Sequence, residues 1–567
     1  MEYADIQAGL KTFTERYDSQ TYIGSYRETS RDSLLKEGLG TRANSLWKMA
    51  EYVVATYDNK DLPISDYLKG WRVLASKIGN QYLIIEESLN QWALYDSQCN
   101  RLGGDVFLNK YLQSHKKQSP QTDNVVRKYR PYLTAIKSKP FLLLAGISGT
   151  GKSRIVREFA FKSCPKHLQD RTGTTPGNYC MIEVKPNWHD STELLGYYSR
   201  LGKAGYQFTK FVKFLVKAKM FPTVPFFVCL DEMNLAPVEQ YFAEILSILE
   251  TRKHPKNEET GEVDMTVVKT EPIIDAQYFR ELSEMPHTKN AQTGEPFSSN
   301  LTDRDIYLKL FDIDTENDID EEVGKRTDLT TEGLTLPDNV VIIGTVNMDD
   351  TTHQFSRKVI DRAMTIEMNG GNLRNMFGGS KNLEYLSYEE QQKWQNAFTR
   401  RYVTADEVLE EHSDVAEELI EKLPVELEEI NKALKGTPFE VSYRVLNELT
   451  IMVGVMLDEG KELNDAIAQS VNNILLMKIL PRIEGDAEMF ALSREHKNKV
   501  GVSYDNRLEW LKELAPDIKE TSSDITSENE NTEESAEKNE EHQQTAEEKI
   551  QEMIDRLNNQ EFTRFWP

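Results

Sequence analysis

At 567 residues the chain is long enough for about three or four domains. Its 39% hydrophobic and 28% charged residues give the balance of a soluble globular protein. With 68 Lys and Arg against 93 Asp and Glu the net charge is −25, which argues against a surface built throughout to bind nucleic acid. No apolar run is long enough to span a bilayer, and the start "MEYADIQAGL" has neither a basic nor an apolar leader region, so a cytoplasmic protein without a membrane segment is expected. Cys99, Cys164, Cys180 and Cys229 lie far apart with no CxxC, which excludes a disulfide framework and leaves Cys229 as a small buried hydrophobe.

Residues 1–122 read as a mostly helical N-terminal domain, from apolar spacing of three and four in "TRANSLWKMAEYVVATY" and "ISDYLKGWRVLASKIGNQYLIIEESLNQWALY". It holds Trp47, Trp71 and Trp92, which are commoner as core than as an aromatic cage for a flipped base. Residues 1–130 carry 18 basic against 16 acidic side chains, so this module is the better candidate for any contact with DNA. "SHKKQSPQTDN" (114–124) marks a linker.

Over 123–370 four short apolar runs alternate with helical stretches: "FLLLAGI" (141–147), "YCMIEVK" (179–185), "PFFVCLDE" (225–232) and "NVVIIGTVN" (339–347). Runs that are apolar almost throughout predict buried parallel strands of an α/β sheet flanked by helices. Insertions are expected at 190–215 and 251–336, the second polar and acidic enough to be a disordered excursion. Residues 371–515 read as a helical domain. Residues 516–567 hold 15 acidic and 5 basic residues. Within them, 516–545 is an acidic linker too polar to bury a core. In the final segment, 546–567, Ile550, Met553, Ile554 and Leu557 make one apolar helix stripe, an anchor for this chain or for a partner.

The strongest chemical signal is "GISGTGKS", Gly146 to Ser153, directly after an apolar strand and before a helix. Gly146, Ser148, Gly149, Thr150 and Gly151 would turn backbone N–H groups around phosphate oxygens. Lys152 reaches the terminal phosphates, and Ser153 offers a hydroxyl to Mg2+. In "PFFVCLDEMN", Asp231 and Glu232 end a strand, where Asp231 suits the Mg2+ shell and Glu232 an attacking water. Asn347 ends the fourth apolar run, beside Glu232 in such a sheet. Arg357 and Arg362 follow it, with surface pairs to Asp349, Asp350 or Asp361 as the plain alternative. "IEVK" (182–185) has the spacing of a nuclease site but not its context, so no nuclease activity is expected of this chain.

Together "GISGTGKS", "CLDEMN" and "VNMDD…SRKVIDRA" resemble the AAA+ NTPases, over about 125–515 and the last few residues. "VKPNWHDSTELLGYYSRLGKAGYQFTKFVKFL" (184–215), "VSYRVLNEL" (441–449), "ILLMKILPRIEGD" (474–486) and the closing "FTRFWP" are similar to the McrB branch, motor subunits of modification-dependent restriction systems. The resemblance implies an AAA+ P-loop domain with a C-terminal helical lid. It makes Asn347 the first sensor, Arg444 the second, and Arg357 and Arg362 arginine fingers that act on a neighbour's nucleotide. It further implies a homo-oligomeric ring, a hexamer by family habit, a McrC-like endonuclease subunit as partner, and double-stranded DNA as track. "VNMDD" departs from the Met-Asn-Thr-x-Asp signature of GTP-specific members, so GTP and ATP both stay open. A MoxR-like ATPase that remodels protein complexes is the competing expectation. A third is that the tail only holds the chain in an assembly.

Overall fold

The computed structural model describes four strands between residues 72 and 103, and residues 129–566 apart from 171–173, 202–204, 256–266, 284–300, 314–317, 349–354, 369–382, 494–496, 498–500 and 519–543. The four strands, β1 (Arg72–Ile78), β2 (Gln81–Ser88), β3 (Gln91–Tyr95) and β4 (Arg101–Gly103), form an antiparallel meander. This corrects the helical reading of "RVLASKIGNQYLIIEESLNQWALY". Ile78 pairs with Gln81 and Ser88 with Gln91, so only Gly79–Asn80 and Leu89–Asn90 connect the strands. Two-residue connections of this kind favour hairpins, and the Val, Ile and Tyr content suits pleated strands better than a helix. The other helices expected in 1–122, with Trp47 and Trp71, lie outside the described residues, and Trp92 falls in β3.

The α/β domain begins with α1 (Arg130–Ser138), β5 (Phe141–Gly146) and α2 (Lys152–Ser163). It continues with β6 (Tyr179–Glu183), the hairpin β7 (Gly196–Ser199) and β8 (Gly205–Phe208), α3 (Lys210–Met220), β9 (Phe226–Asp231) and α4 (Ala243–Leu249). After an insertion come β10 (Val340–Asn347), α6 (Arg357–Ile360) and β11 (Met364–Glu367). The five strands β5, β6, β9, β10 and β11 make one sheet in the order β11-β5-β10-β9-β6, every neighbouring pair parallel. β11 was not read from the sequence, since four residues carry too little pattern. The described parts of 251–336 are folded: α5 (Asp303–Phe311) starts at a Thr302–Asp305 capping box, and its Asp303 lies 3.5 Å from Lys219 of α3.

Strand alternation divides the core between two faces. Leu142 and Leu144 of β5 join Phe227 and Cys229 of β9 under α2 and the C-terminal helices. Phe141, Leu143 and Ala145 face the other way, against α3, α4 and the insertion. The helical domain follows as α7 (Tyr388–Ala397), α8 (Ala405–Glu411), α9 (Ala416–Leu434), α10 (Tyr443–Asp458), α11 (Leu463–Ile474) and α12 (Arg507–Glu513). It closes with β12 (Glu484–Asp486), α13 (Ala546–Gln560) and β13 (Phe562–Arg564).

The C-terminal segment docks on its own chain. Ile550, Met553, Ile554 and Leu557 are buried in the same core as β5, each contributing about 1.5–3 kcal/mol by burial, and β13 pairs with β12. The fully buried Lys549 reaches Glu367 at the end of β11, 2.6 Å away. Among the described residues no helix is long and apolar enough to cross a membrane.

Candidate functional site

The carboxyl ends of β5, β9 and β10 meet because β10 lies between the other two. Its Asn347 stands opposite Gly146 of β5, and its Gly344 opposite Leu230 of β9. The loop from Gly146 to Gly151 leaves β5 there. A Cβ at Gly146 would lie 2.3 Å from the Met368 carbonyl oxygen, so only glycine allows β5 to turn against the end of β11. Gly151 caps α2 at φ 87°, a left-handed conformation that glycine adopts without strain, and Lys152 and Ser153 open the helix. The helix amino end thus faces the loop, adding partial positive charge where phosphate oxygens would sit. Ser148 and Gly149 are exposed at the loop tip, and the Thr150 hydroxyl donates to the Ile147 carbonyl at 3.1 Å. The buried Lys152 ammonium donates to the carbonyls of Gly146 (3.1 Å) and Ile147 (2.7 Å).

Across the loop, Ser153 Oγ donates to Asp231 Oδ1 at 2.5 Å, and Thr345 Oγ1 donates to the same oxygen at 2.8 Å. Thr345 Oγ1 also accepts the Glu232 backbone N–H at 2.9 Å. Glu232 is left-handed, φ 52° and ψ 51°, a strain of order 1–3 kcal/mol for a residue with a side chain. That turn brings Glu232 to Asn347, whose Nδ2 donates to its Oε1 at 3.0 Å. Asn234 Nδ2 holds the Asn347 carbonyl at 2.8 Å. Behind Asp231, burial first and the Asp231 charge second push the Cys229 thiol up to about 12, so it stays protonated and inert.

Gly146, Gly151, Lys152, Ser153, Asp231, Glu232 and Asn347 therefore share one edge of the sheet. Thr345 and Asn234 belong with them and were missed. Thr345 was legible, since it is two residues from Asn347 and so on the same strand face. Ser153 and Asp231 offer hard oxygen donors side by side, a fit for Mg2+. Among the described residues no three or more His, Cys, Asp or Glu side chains form a metal cage, so such an ion would complete its shell with phosphate oxygens and water.

The arginines lie elsewhere. Arg444 Nε is 3.0 Å from Glu250 Oε2, and Arg362 Nε is 3.9 Å from Glu250 Oε1. The same Oε1 is 3.3 Å from Lys139, two residues before β5 begins. The six residues of β5 rise about 3.3 Å each, which separates this amino edge from Gly146 by roughly 17 Å. Arg357 is exposed, its guanidinium 5.1 Å from the centre of the Phe439 ring. Asp361 pairs with Arg482 at 2.9 Å, not with either arginine beside it, while Asp349 and Asp350 lie outside the described residues. A buried relay underlies the arginines. Lys139 and Lys478 bind Glu448 at 2.6 and 2.8 Å, and Lys478 donates to the Ala363 carbonyl at 3.1 Å. Elsewhere, Glu183 and Lys185 of "IEVK" line a cavity of about 460 Å3 with Trp188 and Lys210.

Residues 394–562 match the model of a family described as a domain of unknown function, DUF8727, which spans the helical domain and the docked tail but under a third of the chain. No curated protein matches the chain. Among solved structures it is similar to a protein of Cytophaga hutchinsonii described as a "putative ATPase", at 15% identity, with 72% of this chain and 96% of that chain covered and a TM-score of 0.31.

Proposed function

We propose that the chain is an AAA+ ring motor of the McrB type, which hydrolyses GTP or ATP, moves along double-stranded DNA and activates a McrC-like endonuclease subunit. The observation that carries the nucleotide part is the closed set Ser153–Asp231–Thr345–Glu232–Asn347 beside a glycine loop and a helix amino end. In this reading Lys152 exchanges its two loop carbonyls for the terminal phosphates. Asn347 fixes the Glu232 carboxylate, which takes up the proton of the attacking water. Ser153 and Asp231 hold Mg2+, which supplies positive charge to the phosphates.

Arg362 and Arg444 gather at Glu250 beside the amino end of β5, away from the glycine loop at its carboxyl end, and are the cations offered to the next copy's nucleotide; this moves Arg444 out of the second-sensor role expected of it, while Arg357 lies on the same stretch as Arg362. That division of labour requires a ring of copies. The McrB assignment itself rests on the sequence resemblance. Turnover of GTP and ATP, measured side by side with and without the nuclease subunit, tests it. A strong preference for one nucleotide and a rise on adding the nuclease are expected, and no rise would remove the restriction role.

A MoxR-like remodelling ATPase is the second reading, kept open because residues 1–130, at 18 basic against 16 acidic, are only slightly basic for a DNA-contacting module. Salt-sensitive binding of the whole chain to DNA separates the two, because phosphate contacts weaken steeply with salt.

A further inference from the structure

We propose that Glu250 is the positioning residue that aligns Arg362 and Arg444 as a pair for the phosphates of a neighbouring copy, an inference that rests on the ring reading above. Glu250 directly follows α4, and no catalytic motif in the sequence includes it. Its carboxylate faces the Nε of both guanidiniums, at 3.0 Å for Arg444 and 3.9 Å for Arg362. The contact at Arg444 is close and leaves its forked Nη end to other acceptors, whereas Arg362 keeps only a looser ion pair with Glu250 and donates Nη1 to the Lys358 carbonyl at 2.9 Å, which leaves Nη2 for a phosphate. The Arg444 side chain is 37% exposed, and Tyr443 beside it is 89% exposed, so this end opens outward.

The two arginines come from distant parts of the chain, one ahead of β11 and one on α10. Without a shared counter-charge the guanidiniums and Lys139 would repel across a partly buried space. Lys139 does not need Glu250, since Glu448 holds it at 2.6 Å. The backbone beside Arg362 does not need it either, because Lys478 holds the Ala363 carbonyl at 3.1 Å. What depends on Glu250 is the orientation of the Arg444 guanidinium and its spacing from Arg362, whose own guanidinium is also held by the Lys358 carbonyl.

The test is Glu250→Gln in the full chain. Turnover number should fall about 10- to 100-fold, the cost of misplacing a reacting group by an ångström or so. KM should stay within a few-fold, because the nucleotide's own subunit is untouched. Glu250→Asp, which keeps the counter-charge, should recover part of the loss, and assembly size should match the parent in both variants. Mixed with Glu232→Gln subunits, which bind nucleotide and carry intact arginines, Glu250→Gln subunits should regain turnover above either variant alone. A wild-type turnover number, or a loss that mixing does not relieve, overturns the proposal. Its failure differs from failure of the ring reading. If Arg362→Ala and Arg444→Ala both keep full turnover, that reading falls. If they lose turnover and Glu250→Gln does not, only the role of Glu250 falls.

Discussion

The two edges of the parallel sheet are built on opposite plans. At the carboxyl edge Ser153, Asp231, Thr345, Glu232 and Asn347 satisfy one another within 2.5–3.0 Å, beside the glycine loop and the amino end of α2. At the amino edge four cations, Lys139, Lys478, Arg362 and Arg444, share two carboxylates, Glu250 and Glu448. On a chain of net charge −25 that local excess of positive charge is not generic surface. A cluster whose polar atoms close on each other works inside one molecule. A cluster left with outward cations is complementary to an anion that another molecule brings.

If that contrast is right, damage to the two edges should separate binding from turnover. The largest effect belongs to the carboxyl edge. Lys152→Ala should weaken nucleotide affinity by at least about 100-fold, since a buried charge-assisted contact to phosphate disappears. Titration with a fluorescent nucleotide reads this directly, and near-normal affinity would mean that the glycine loop is not the phosphate site. Next comes Arg362→Ala. Affinity should hold while turnover drops about 1,000-fold, the scale of a cation that acts on transition-state charge. Mixing these subunits with Lys152→Ala subunits should restore partial turnover. A mixture that assembles and stays inactive would return Arg362 to a purely internal role.

How much of this contrast the sequence announces also differs between the edges. Continuous apolar runs and a glycine loop make β5, β9 and β10 readable, because buried parallel strands and phosphate cradles both demand particular residue types. Thr345 follows from alternation along β10. The amino edge is opaque, since Glu250 after a helix looks like any solvated carboxylate. Likewise the Lys139–Glu448 pair joins residues 309 apart in the chain. The same holds for the tail, whose stripe of Ile550, Met553, Ile554 and Leu557 predicts a docked face without naming what it docks on. In 72–103 the reading failed because apolar spacing of three and four outweighed the Val, Ile and Tyr content that suits the paired strands β1 to β3.

The relay beneath the arginines should matter for stability more than for chemistry. Glu448 is buried between Lys139 and Lys478, and burial, partly offset by Glu448, lowers the Lys478 ammonium to about 8. Glu448→Gln takes the carboxylate from the fully buried Lys478 and leaves Lys139 only Glu250 at 3.3 Å, so it should cost about 3–5 kcal/mol, read as a lower midpoint in denaturant. Replacing Lys478 and Glu448 together by Met and Leu should cost much less than the single change. A single-variant midpoint equal to the parent's would mean that the helical domain is not tied to the sheet through this pair.

The smallest effect probes whether the tail supports the carboxyl edge. Glu367 ends β11, pairs in register with Ala145 beside the glycine loop, and takes its ion pair from Lys549 of the docked α13. Burial raises the Glu367 carboxyl above its usual range, and Lys549 pulls it back. Lys549→Met removes the opposing charge, so Glu367 should rise further and hold a proton in the folded state. A carboxyl whose folded pKa lies above its unfolded one binds protons more tightly when folded, so its contribution is lost as pH rises through the folded value. The variant should therefore lose about 1–3 kcal/mol relative to the parent at pH 7 and recover part of it near pH 5. Thermal midpoints of both chains at the two pH values measure this. A deficit that is flat or shrinks toward pH 7 would show that Glu367 does not depend on Lys549, and that the tail meets the sheet through apolar burial alone.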